Sequence, residues 1–356
     1  MNLVVVFLGK RGAGARFVEI FRNYGDEFLP GQMEFLISSR CAREFPEIAS
    51  RSHVIKTFED WRYLAFFPWI FTNQVKVLFN ICKKQKKKFL FVLPSPSDLL
   101  IIKILKFLKI ELYFMIHDLQ SHLGENWPTK NSIRLRLTVA TRIFTLSQFV
   151  YNKLDSAAKE KSFVISHPIF PINFAESSSN QPSIPGEYLL CIGRIREYKG
   201  IDDLIKAYSL VKDAPTLVIA GEGHIELLET SKIFLINRWL KDEEIEILIA
   251  SASLVILPYR EATQSGIIPI CRLFEKPLIV SDSGALVEQA IGSKRLWVFQ
   301  PGDIMTLNDH IRAFLNSRND PPLPNISPVT EEISRKSINS SRFFVKQVIE
   351  RIFVST

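Results

Sequence analysis

The stretch Cys191-Ile-Gly-Arg-Ile-Arg-Glu-Tyr-Lys-Gly200 decides how this chain is read. It leaves the apolar run Glu187-Tyr-Leu-Leu190 and enters a helix-like segment, Ile201 to Tyr208. A buried strand, a glycine exit, a helix start and three cations between them make an anion-binding turn, because the free N–H groups and the dipole at a helix N-terminus favour negative charge. Arg194 and Lys199 add two full charges there. A diphosphate is the natural partner, each charged hydrogen bond contributing roughly 1.5 to 3 kcal/mol. The glycine spacing fits neither a P-loop nor Gly-x-Gly-x-x-Gly.

Outward from that turn the chain alternates short apolar runs with amphipathic segments. In the first half the runs are Leu3 to Leu8, Glu34 to Ile37, Phe89 to Leu93, Glu111 to Ile116, Arg142 to Thr145 and Ser162 to Ile165. They are too short for helices and rich in Val, Ile and Phe, so they predict buried parallel strands with helices between. Ser97 to Leu108 predicts one crossover helix, with Ser97 or Asp98 as its cap. After the break the expected strands are Tyr188 to Ile192, Thr216 to Ala220, Lys232 to Ile236, Leu254 to Leu257, Pro277 to Val280 and Leu296 to Phe299. Helices are expected over 201–211 and 242–250, after Gly266 and near Leu286.

The fold class is therefore α/β, with two Rossmann-like domains. The Ser-, Asn- and Pro-rich segment before Tyr188 predicts a linker at 173–187, between an N-terminal domain at 1–172 and a C-terminal one at 188–335. An amphipathic tail at 336–356 predicts a closing helix that returns to the N-terminal domain. Two such domains would present the carboxyl ends of both sheets to one cleft, the place where open α/β sheets bind ligands.

The 356 residues carry a formal net charge of +8, with 47% hydrophobic and 23% charged residues, which excludes a disordered chain. The four cysteines, Cys41, Cys82, Cys191 and Cys271, lie far apart without metal-ligand spacing, so they predict reduced core thiols. The apolar start lacks a basic leader and predicts a first strand. Lysines at 103, 106 and 109 break the longest apolar run, so a cytoplasmic location is expected, with peripheral membrane contact through Lys83 to Lys88. A solvated loop explains that lysine run equally well. Nucleic acid is not expected, as no recognition motif accompanies the charge. The aromatic run Trp61 to Phe71 suits either membrane docking or packing into the N-terminal core.

Two more glycine turns follow apolar runs: Ala220-Gly-Glu-Gly223, and Leu257-Pro-Tyr-Arg-Glu-Ala-Thr-Gln-Ser-Gly266. With Gly193-Arg-Ile, Tyr198-Lys-Gly200, Lys276-Pro-Leu-Ile-Val-Ser-Asp-Ser-Gly284 and Glu288 they form an ordered set. In that order the sequence resembles the retaining nucleotide-sugar glycosyltransferases of family four (group 1), which have the GT-B architecture of two facing Rossmann-like domains. The resemblance implies that Arg194 and Lys199 hold the donor diphosphate. It implies that Gly193, Gly221, Gly223, Glu261, Thr263, Gln264, Ser265 and Gly266 line the nucleotide and sugar pockets. In the first half, Gly9-Lys-Arg-Gly-Ala-Gly14 resembles the loop that faces the donor phosphates and the acceptor, giving Gly12 and Gly14 as donor-binding. His117-Asp118 and His122-Leu-Gly124 resemble the region near the reaction centre, with His117 catalytic or a structural hydrogen-bonder.

One feature departs from the family: neither register of the third turn supplies two glutamates seven residues apart, and only Glu261 lies near the first position. The backbone of Ser265 and Gly266 is expected to cradle the donor instead. No Asp-x-Asp triplet is present, so a metal-independent site with no cofactor is expected. The resemblance implies transfer of a hexose-type sugar to a glycan or lipid-linked acceptor, in surface polysaccharide biosynthesis. A catalytically silent partner subunit and a nucleotide-sugar epimerase are the alternatives.

Overall fold

The computed structural model describes residues 2–57, 67–83, 86–172, 184, 186–225, 232–317 and 331–353. The chain divides into two compact units. One comprises Met1–Ser121, Asn126–Phe170 and Ser341–Thr356; the other comprises His122–Glu125 and Pro171–Ser340.

The first unit is built on β1 (Asn2–Phe7), β2 (Met33–Ser38), β3 (His53–Ile55), β4 (Lys87–Phe91), β5 (Glu111–Ile116), β6 (Arg142–Thr145) and β7 (Ser162–Val164). They form one sheet in the order β3-β2-β1-β4-β5-β6-β7, parallel throughout. Its helices are α1 (Ala13–Phe28), α2 (Ser39–Glu44), α3 (Pro46–Ala49), α4 (Phe67–Cys82), α5 (Asp98–Phe107), α6 (Lys130–Val139), α7 (Gln148–Asn152) and α8 (Ser156–Lys159).

Helices on both faces explain the unbroken apolar sequence of β1. Leu3, Val5 and Phe7 enter one core with Phe17 and Phe21 of α1, while Val4, Val6 and Leu8 enter the other with Leu78 of α4 and Ile101 of α5.

The second unit holds β8 (Tyr188–Ile192), α9 (Ile201–Ser209), β9 (Thr216–Ala220), β10 (Ile233–Ile236), α10 (Asp242–Ser251), β11 (Leu254–Leu257), α11 (Ile267–Leu273), β12 (Leu278–Ser281), α12 (Leu286–Ala290), β13 (Leu296–Phe299) and α13 (Ile304–Asn316). Its parallel sheet runs β10-β9-β8-β11-β12-β13. The α/β class and the paired Rossmann-like sheets agree with the sequence. The closing helix, α14 (Glu331–Phe353), begins earlier than predicted. Its Phe344, Val345, Val348, Ile349 and Ile352 are buried in the α1-side core of the first unit.

Several expectations change. Strand β3 was not foreseen because it has three residues, two of them exposed. Helix α13 was not foreseen either, although Asp303 accepts from the Thr306 N–H and Leu307, Ile311 and Phe314 are buried on one face. Ser97 stands at the N-cap position of α5 without a side-chain cap hydrogen bond, and the Asp98 carboxylate instead accepts from the Ser95 N–H at 2.7 Å and pairs with buried Arg136 at 2.9 Å.

Lys87 and Lys88 do not belong to a surface patch. They are buried in β4, where Lys87 bonds Glu34 and Lys88 donates to the Ile352 carbonyl at 2.8 Å. The expected linker falls outside the described residues except at 184, 186 and 187, as do 61–66 of the aromatic run and the prolines of 321–328. All four cysteines are free, and Cys41, Cys191 and Cys271 are buried. Among the described residues no helix is long and apolar enough to cross a membrane.

Candidate functional site

In the second unit three turns at the carboxyl edge of the sheet lock together through their backbones. The Gly193 N–H donates to the Ala220 carbonyl at 2.9 Å, and the Ile195 N–H to Glu222 at 3.0 Å, so the first turn continues the sheet alongside the second. That approach requires glycine. A Cβ on Gly221, at φ +151, would lie 1.9 Å from the Gly193 oxygen. One on Gly200, at φ +62, would lie 2.0 Å from the Pro258 oxygen.

The third turn is pinned to the first. The Tyr198 carbonyl accepts from the Arg260 N–H at 2.8 Å and the Glu261 N–H at 3.3 Å. Arg260 also grips Asp203, in the first turn of α9, with two hydrogen bonds of 2.8 and 2.9 Å. A bidentate guanidinium–carboxylate pair fixes direction as well as distance. Sequence reasoning passed over Arg260 because the cue, the second of two adjacent Asp residues after Gly200, has meaning only once the turns are seen stacked.

On this platform lie the two cations. The Lys199 ammonium is 3.5 Å from the ring centroid of Tyr259 and 5.0 Å from that of Tyr198. Burial raises the pKa of Tyr259, keeping the phenol protonated and the ring a neutral face for the cation. The side chain of Arg194 is 47% exposed, donates to the Tyr198 hydroxyl at 3.3 Å and pairs with Glu125 at 3.0 Å. Glu125 comes with the short segment His122–Glu125, which clusters with this unit. There the His122 ring stacks on Tyr198 at 4.6 Å, and its Nδ1 lies 3.7 Å from Glu261. Glu261 also accepts from the Leu123 N–H at 3.1 Å.

The Thr263 to Gly266 segment differs from expectation. The Ser265 N–H is taken by the Gln289 Oε1 at 2.7 Å, so it does not face outward as part of a backbone cradle. Ser265 is buried, and its Oγ accepts from the Ile267 N–H at 3.3 Å. Gly266 is exposed, and Thr263 and Gln264 are half-buried. The Gln264 Oε1 is buried with no hydrogen-bond partner among the described residues. Gln289, from α12, is another residue the sequence did not point to: it sets the conformation of this turn from 24 residues away.

The first-unit candidates are a separate group. Gly12 precedes α1 at φ 93, and a Cβ on Gly14 would lie 2.1 Å from the Phe7 ring, so Gly14 is explained by packing. His117 follows β5 and its Nε2 is 2.9 Å from Asp118. His167 is buried against Phe17 and Phe170, with Nδ1 2.7 Å from the Pro168 oxygen. Burial lowers its pKa to about 4.

Residues 175–325, the span holding all three locked turns, match the family model for glycosyl transferases group 1. Over that span the second unit is similar to the group 1 glycosyl transferases. Across the whole chain the fold is shared with a solved glycosyltransferase from Rickettsia africae, at TM-score 0.69 and 14% identity over 99% of each chain. It is shared with the Anabaena protein HepE in complex with UDP-glucose, at TM-score 0.64 and 15% identity over 99% of this chain and 96% of that one. A UDP-GlcNAc 2-epimerase from Neisseria meningitidis bound to UDP-GlcNAc also shares it, at TM-score 0.60 and 12% identity over 99% of each chain. No curated protein matches the sequence at a significant level. Within the matched span, the lysine and the arginine stand on the turn that follows β8.

Proposed function

We propose that the protein is a retaining, metal-independent glycosyltransferase moving a hexose-type sugar from a nucleoside-diphosphate sugar to a glycan or lipid-linked acceptor, in surface polysaccharide biosynthesis. The carrying observation is the Lys199 ammonium held 3.5 Å over the buried Tyr259 ring, with Arg194 beside it, at the end of β8 within the span that matches the group 1 family model. The UDP-glucose complex of the Anabaena structure, which has this fold, supports a nucleotide sugar as donor.

In the proposed reaction the bond from the anomeric carbon to the diphosphate breaks and a bond to the acceptor oxygen forms. The acceptor proton passes to the departing phosphate. Negative charge grows on that diphosphate, so preorganised cations act where charge develops, at about 10²-fold or more in rate for each. Two side-chain cations already oppose that charge, which is why no metal or cofactor is required of the site. Gln264, whose Oε1 has no hydrogen-bond partner among the described residues, would accept from a donor hydroxyl. Gly12 is assigned to donor binding, and His117, with Asp118 2.9 Å away, to the reaction centre. A lipid-linked acceptor would be met at the cytoplasmic face of a membrane.

The test is a thermal-shift screen against UDP, GDP and their sugars, followed by product analysis with and without an acceptor in the presence of a chelator. A ligand at 100 times its dissociation constant stabilises the fold by about 2.7 kcal/mol. Sugar transfer that persists in the chelator is expected. An epimerised sugar formed without acceptor, or no donor binding at all, would overturn the proposal in favour of an epimerase or a silent subunit.

A further inference from the structure

The lysine run singled out in the sequence fails as a patch, since Lys87 and Lys88 are buried, but a different surface of the first unit combines cations with apolar side chains. Along the 16 residues of α4, Ile70, Gln74, Leu78 and Ile81 face the core. The opposite side runs Trp69, Thr72, Lys76, Phe79 and Lys83, in steps of three and four, with Phe71 and Val75 on its flank. Trp69 is 55% exposed and Phe79 63%, an unusual outlay for a helix whose buried face is already complete.

Helix α5 packs in the same core as α4, and its end adds Phe107 at 85% exposure and Leu108 at 50%, interleaved with exposed Lys103, Lys106 and Lys109. The Lys56 ammonium lies 3.2 Å over the Trp69 ring, adding another cation at the far end of α4.

We propose that the outward face of α4, continued by the end of α5, is a docking surface for an anionic phospholipid bilayer. The charge is one-sided: from 67 to 110 the only acidic residue is Asp98, and it is buried against Arg136. A helix that presents aromatic and aliphatic side chains between lysines lies in the plane of a membrane interface, its apolar groups among the acyl chains and its cations at the headgroups. Nucleic acid would satisfy the lysines but leave Phe79, Phe107 and Leu108 without an apolar phase. A second copy of the same face would oppose lysine to lysine, with no carboxylate to relieve them.

This surface adds a membrane partner to the proposed transferase without depending on it. The test is flotation of the full chain with vesicles of phosphatidylcholine alone, and with vesicles containing equal parts of phosphatidylcholine and phosphatidylglycerol. Binding to the anionic vesicles only is expected. Lys76→Glu with Lys83→Glu should weaken it by about thirtyfold or more, roughly fivefold for each lysine lost. Trp69→Ser with Phe79→Ser should weaken it by tenfold or more through lost apolar insertion. Both variants should keep the nucleotide response, and the lysine variant also the wild-type melting temperature, since Lys76 and Lys83 are exposed.

Equal binding to neutral vesicles, no binding to either kind, or a concentration-dependent dimer that Phe79→Ser abolishes would each overturn the proposal. Failure of the transferase reading would show separately, as a missing nucleotide response in a protein that still floats.

Discussion

The two parallel sheets meet the same problem in opposite ways: each must bring a glycine turn close to something solid at the end of its central strand. In the first unit Gly14 closes on the ring of Phe7, a side chain. In the second, Gly200 and Gly221 close on the carbonyls of Pro258 and Gly193, which are backbone. A ring can tilt; a carbonyl fixed in a neighbouring turn cannot move without moving that turn. The second unit is therefore the stiffer frame, and it is the one that carries the cations. Preorganisation of charge needs a frame of that kind.

The largest effect expected from this contrast is structural. Gly200→Ala places a methyl group 2.0 Å from the Pro258 oxygen at a φ of +62, and should cost about 3 kcal/mol or more in denaturant unfolding. Gly14→Ala, which meets only the Phe7 ring, should cost clearly less; equal losses would erase the distinction between the two frames.

Next comes Lys199→Ala, expected to lower kcat/KM by about 10²-fold or more with the fold intact. Arg194→Ala should lower it less, because that side chain is half exposed and shared with Glu125. A Lys199→Ala enzyme with unchanged turnover would remove the cation platform from the mechanism.

The first unit holds the acid-sensitive side of the comparison. His167 titrates near 6.5 when unfolded and at about 4 when folded, so the unfolded chain binds the extra proton between those values. Stability is full above about pH 6.5 and falls as the pH drops toward 4, by up to about 3 kcal/mol. His167→Phe should flatten that slope in melting curves recorded across the interval. A wild-type curve as flat as the variant's would mean the imidazole is not held neutral by burial.

The smallest effect concerns the pairing of Glu125 with Arg194 at 3.0 Å. An exposed pair of this kind contributes roughly 0.2 to 1 kcal/mol. Glu125→Gln should accordingly tighten nucleotide-sugar binding two- to fivefold in titration calorimetry, by freeing the guanidinium. Weaker binding would show that Glu125 helps the site instead of competing for it.

Much of this was legible in the sequence because parallel strands buried on both faces are written as continuous Val, Ile and Phe runs, and helix starts as glycine after such a run. For the cations of the first turn the placement alone was legible, between β8 and α9. What escaped were relations between turns. Arg260 with Asp203, Gln289 with the Ser265 N–H, and Glu125 with Arg194 join residues 24 to 69 apart, and no local pattern encodes such pairings. Lys87 and Lys88 misled for the converse reason. A run of like charges signals solvent until β2, two strands away, supplies Glu34 and a helix end supplies a carbonyl.

Helix α14 gives Phe344, Val345, Val348 and Ile349 to the same core as Phe17 and Phe21, so the first unit is completed by residues more than 300 positions after it begins. During synthesis that core lacks these side chains until the whole second unit has been made. Nascent chains arrested short of Phe344 should hold a finished second unit beside an unfinished first, and that interval is when a chaperone would have something to hold.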